Sequence, residues 1–89
     1  MEKINRIEHI KSAIDNGMYL SIYDVTKLLE QAGIKNHGAY YSIKHQCLVI
    51  PVPGFDDVTL SKDYMVCNNI KFAYTETNLE RIIDFVNSH

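Results

Sequence analysis

Eighty-nine residues with 46% hydrophobic and 22% charged side chains make one folded domain, spanning 1–89, and exclude a disordered tail. No apolar run has membrane-spanning length and the segment MEKINRIEHI has no signal-peptide core, so the expected location is the cytoplasm, with no membrane partner. A net charge of −2 argues against a general nucleic-acid binder, although residues 27–54 carry a local net of +2 and residues 55–89 a net of −3.

Ile4, Ile7, Ile10 and Ile14 recur at helical spacing, which predicts an amphipathic helix over residues 2–16. Asn16 and Gly17 form its stop, because both residues tolerate a left-handed backbone. Ser21 and Asp24 stand three apart and predict a capping box for a second helix. Ile22, Val25, Leu28, Leu29 and Ala32 supply its apolar face, and Gly33 ends it.

Residues 39–45 alternate with strand period: Ala39, Tyr41 and Ile43 against Tyr40, Ser42 and Lys44. Cys47 to Val52 is a continuous apolar run that fits a buried strand, with Pro51 pushing its end toward a sheet edge. Val58–Leu60 and Tyr64–Cys67 read as parts of one further strand. Asn68-Asn69 then closes a hairpin in which Cys67 faces Ile70 and Met65 faces Phe72. Thr77 and Glu80 predict a capping box for a last helix with a buried stripe of Leu79, Ile82, Ile83 and Val86. The expected fold is α+β: two N-terminal helices, a four-stranded antiparallel sheet and a C-terminal helix, with one sheet face covered and one open.

Little here carries chemistry. Cys47 and Cys67 lie far apart in apolar segments and read as reduced, buried thiols rather than zinc ligands, so neither metal nor cofactor is expected. His37, beside Gly38, and His45, at a hairpin turn, are imidazoles that suit a general base only with a fixed neighbour. Asp56 and Asp57 follow Pro53-Gly54-Phe55 and read as a solvated turn. No serine sits in a nucleophile elbow, and no glycine-rich loop has phosphate-binding spacing. The candidate binding residues are Lys35, His37, Tyr40, Lys44 and His45, where aromatic and basic side chains interleave as they do in surfaces that stack bases and pair phosphates.

Lys27-Leu28-Leu29 to Gly33, Gly38-Ala39-Tyr40, Ile43-Lys44-His45 and Val49-Ile50-Pro51-Val52-Pro53 together resemble the HicA-type mRNA interferase toxins. The resemblance covers about a third of the chain and implies a double-stranded-RNA-binding-like fold. Tyr40 stands in the place of that family's catalytic histidine and Pro53 in the place of a second histidine. A neutral tyrosine, with an ordinary pKa near ~10, is a poor general base, so the resemblance implies the fold without the ribonuclease activity unless His37 substitutes. Ser21 to His45 also resembles a helix-turn-helix, with residues 36–45 as the recognition helix. The function expected from these readings is a small non-catalytic binding module, a regulator or inhibitor working through protein contact. Nucleic-acid binding, winged-helix-like or double-stranded-RNA-binding-like, and a HicA-like ribonuclease are the alternatives.

Overall fold

The computed structural model describes residues 5–35 and 38–89. In chain order they form α1 (Arg6–Asp15), a 3₁₀ turn (Gly17–Tyr19), α2 (Ile22–Gln31), β1 (Tyr40–Ser42), β2 (Cys47–Ile50), β3 (Val58–Leu60), β4 (Met65–Cys67), β5 (Ile70–Phe72) and α3 (Glu76–Ser88). The strands pair in sequence order, β1-β2-β3-β4-β5, every pair antiparallel. The α+β reading therefore holds, with five strands instead of four. The extra strand arises because residues 58–67 do not run straight through. Ser61 N–H donates to the Tyr64 carbonyl at 2.9 Å, closing a turn that separates β3 from β4.

Helix boundaries follow from local chemistry. The Asn5 side chain caps α1 by accepting from the Glu8 N–H at 3.2 Å. Ser21 and Asp24 form the expected reciprocal capping box of α2. The other end of α2 is a Schellman closure: Gly33 N–H donates to the Glu30 carbonyl, Ile34 N–H to the Leu29 carbonyl, and Gly33 takes φ +90°. The last helix starts earlier than Thr77-Glu80 predicts. Thr75 is its cap, accepting from Asn78 N–H at 3.1 Å, and the preceding Tyr74 is anchored through its hydroxyl to the Ser61 carbonyl.

Gly17 corrects another expectation. Its role is close approach, not a left-handed turn: a Cβ there would lie 2.0 Å from Cε1 of Tyr41. Pro51 likewise marks no sheet edge, since β2 lies between β1 and β3; it simply ends the strand. The strand expected over residues 39–45 is shorter, with Ile43–Gln46 forming the β1–β2 turn. That strand and turn replace the recognition helix that the helix-turn-helix resemblance places over residues 36–45.

The core lies between the helices and one face of the sheet. Ile10, Val25, Leu29, Leu79, Ile82 and Val86 meet Leu48, Ile50, Val58, Leu60 and Met65, all essentially inaccessible. Each such side chain contributes about 1.5–3 kcal/mol of burial. Ile22 departs from the expected stripe: it lies in the first turn of α2 and is 69% exposed. Arg6 ties the three helices together, donating to the Ala32 carbonyl, to Glu76 at 2.7 Å and to Glu80. Among the described residues no helix is long and apolar enough to cross a membrane.

Candidate functional site

Strand alternation sends every second side chain of the sheet away from the helices. The register then lines these residues up across the strands. Tyr40 stands opposite Val49, Val49 opposite Thr59, Thr59 opposite Val66, and Val66 opposite Lys71. A second row begins with Ser42 opposite Cys47. The result is a shallow cleft of about 460 Å³ on the open face. Cys47 and Val49 form its floor, at 4% and 6% exposure although no helix covers them. Thr59, Ser61 and Val66 continue the floor, while Tyr40, His45, Asp57 and Tyr64 stand around it.

The five sequence-predicted residues are not one patch. Tyr40 and His45 both line the cleft. His45 is held by the β1–β2 turn, where its N–H donates to the Ser42 hydroxyl at 3.3 Å and the next residue, Gln46, takes φ 53°. Lys44 is exposed in the same turn but does not line the cleft. Lys35 belongs elsewhere: it borders a separate hollow with Glu30, Gly33 and Ile34, and its N–H donates to the Asn87 side chain at 2.8 Å. His37 lies outside the described residues.

The electrostatics are mild. Among the described residues, no lysine or arginine lines the cleft. Lys71 lies next to it, with its ammonium 4.5 Å from the Tyr64 ring centroid, a cation–π contact that joins β5 to the cleft edge. Burial pushes the Cys47 thiol above its ordinary range, which keeps it protonated and poorly nucleophilic. Cys67 is shifted the same way on the helix-facing side of the sheet. Among the described residues, no side-chain hydrogen bond links His45 to Cys47 or Asp57, and no three His, Cys, Asp or Glu residues gather as a metal site. The cleft offers apolar contact, hydroxyl hydrogen bonds, the Asp57 carboxylate, the His45 imidazole and two exposed tyrosine rings.

Thr59, Ser61, Tyr64, Val66 and Asp57 were absent from the sequence-based set. The signal for two of them, Thr59 and Val66, lies in the alternation of Val58-Thr59-Leu60 and Met65-Val66-Cys67, whose middle members face away from the core. Comparison with family models, curated proteins and solved structures found no match to this chain.

Proposed function

We propose that this chain is a non-catalytic binding module of the cytoplasm that regulates or inhibits a protein by docking the open face of its sheet against it. The observation that carries the reading is the cleft lining: an apolar floor, hydroxyl groups, the Asp57 carboxylate and, among the described residues, no lysine or arginine. Such a surface suits a neutral polypeptide segment better than a phosphate backbone, whose binding rests on Lys and Arg contacts. The protonated Cys47 thiol and the tyrosine at position 40, in the place the HicA resemblance gives to a histidine, support the absence of catalysis.

The test is capture from lysate of the native host with wild-type and Thr59→Arg protein, each with and without nuclease. Thr59 is half-buried at the centre of the face, so arginine there blocks docking. The expected result is a protein retained after nuclease and lost with Thr59→Arg, at unchanged thermal stability. Retention by both forms overturns the assignment of this face.

A second reading has its own observation. Tyr40 and Tyr64 are 44% and 36% exposed on the same sheet face, and Lys71 sits on the Tyr64 ring. Exposed aromatics on a sheet stack single-stranded bases. Titration with single-stranded oligonucleotides at low salt decides it, since Tyr40→Ala and Tyr64→Ala then each weaken binding.

A further inference from the structure

A different part of the surface carries a second interface. Met18, Tyr19, Ile22 and Tyr23, from the 3₁₀ turn and the start of α2, are 65%, 79%, 69% and 65% exposed. Beside them lies a hollow of about 290 Å³ with Ile14, Gly17 and Tyr41 at its base, the exposed Ile43 at its side and the Asp15–Lys62 ion pair at its rim. A protruding aromatic residue and a hollow of side-chain size therefore sit side by side on one face.

We infer that this corner binds a second copy of the chain, with Tyr19 of each protomer seated in the hollow of its partner. A two-fold interface needs a surface that complements itself, so that each copy gives a protrusion and receives one. The tyrosine ring meets an apolar floor, and its hydroxyl reaches the charged rim. Charge does not oppose the pairing: Asp15 and Lys62 neutralise each other at 2.9 Å, and Lys27 rests 5.5 Å from the Tyr23 ring centroid. The area also fits. At ~150–250 Å² per aromatic side chain, the two tyrosines present roughly 290 Å², and with Met18 and Ile22 the patch reaches on the order of 500 Å². A stable interface buries about 800 Å² per partner, somewhat over half of it apolar. The inference is independent of the sheet-face reading, because the two surfaces share no residue.

Sedimentation velocity over a concentration series tests it, using Tyr19→Ser, which removes the protrusion, and Ile43→Arg, which fills the hollow. Both residues are exposed, and thermal melts check that each variant folds. The wild type dimerises, and each variant weakens dimerisation at least about tenfold. An equimolar mixture of the two variants then associates more tightly than either alone, because one protrusion and one open hollow remain in the mixed pair. A monomeric wild type, variants that dimerise like the wild type, or a mixture no tighter than its components each overturns the inference.

Discussion

Replacing Gly17 with alanine introduces one methyl group, and its cost comes from one neighbour. The new Cβ would stand 2.0 Å from Cε1, 2.1 Å from Cζ and 2.6 Å from Cδ1 of Tyr41. Ordinary carbon contacts lie near ~3.5–4.0 Å, so the ring must move by roughly 1.5–2 Å. Tyr41 is half-buried, pairs with Leu48 across β1 and β2, and packs against the core, so that displacement loosens its contacts. Overpacking of this kind costs about 1–3 kcal/mol, partly offset by the ~0.5–1 kcal/mol that alanine gains over glycine through lower unfolded-state entropy. The expected net loss is about 1–2 kcal/mol. Removing the ring with Tyr41→Ala destabilises the protein by itself, but in that background Gly17→Ala becomes neutral or stabilising. Urea denaturation followed by circular dichroism, at protein concentrations where the chain is monomeric, gives the four stabilities of the cycle. Equal costs for Gly17→Ala in the two backgrounds would refute the close-approach explanation.

Further outcomes follow from other residues. Ile83, 5% exposed on α3, loses about 2–4 kcal/mol on substitution by alanine, measurable by the same denaturation; a change within ~0.5 kcal/mol would mean the stripe is not core. Tyr74→Phe removes the hydrogen bond to the Ser61 carbonyl and costs about 1 kcal/mol at neutral pH. Burial, aided by Asp63, raises the Tyr74 phenol above its ordinary value, so the protonated form is the one the fold favours. The stability this supplies is complete below pH ~10 and falls as pH rises beyond it, so the gap between wild type and Tyr74→Phe narrows in alkaline melts; a constant gap counts against it. Arg6→Ala loses about 1 kcal/mol at low salt and less at high salt, because the pairs with Glu76 and Glu80 are largely exposed. Purified protein leaves RNA intact in a cleavage assay, and robust cleavage abolished by His37→Ala would make His37 the general base instead.

The parts of the fold legible in the sequence are those fixed by neighbours in the chain. Asn68 and Asn69 both take positive φ, 53° and 65°, and this two-residue turn sets the register Cys67–Ile70 and Met65–Phe72 as expected. The Ser21–Asp24 box, the Gly33 stop and the α3 stripe are equally local. The Ser61–Tyr64 turn is marked only by Ser61 and Asp63, with no glycine, proline or asparagine, and the reading of one continuous strand passes over that weaker signal. Ile22 looked like core by spacing, yet spacing cannot say where a helix outruns the layer beneath it. The candidate site was half-legible for a related reason. Tyr40 and His45 belong to one hairpin, but Asp57, Thr59 and Tyr64 join them only through pairing across four strands. Lys35, near Tyr40 in sequence, is held by Asn87 from the far end of the chain.

The sheet and the helix clamp assign different tasks to the folding chain. Every strand pairs with its immediate successor, so the sheet is assembled from short loop closures that need little entropy. Arg6, in contrast, reaches partners 70 and 74 residues away. From the entropy of closing so long a loop, such a contact is expected to form after the hairpins have condensed, on the native side of the folding barrier. Loss of the Arg6 side chain should therefore accelerate unfolding while leaving the refolding rate nearly unchanged, so the clamp acts on how long the native state lasts more than on how quickly it is reached.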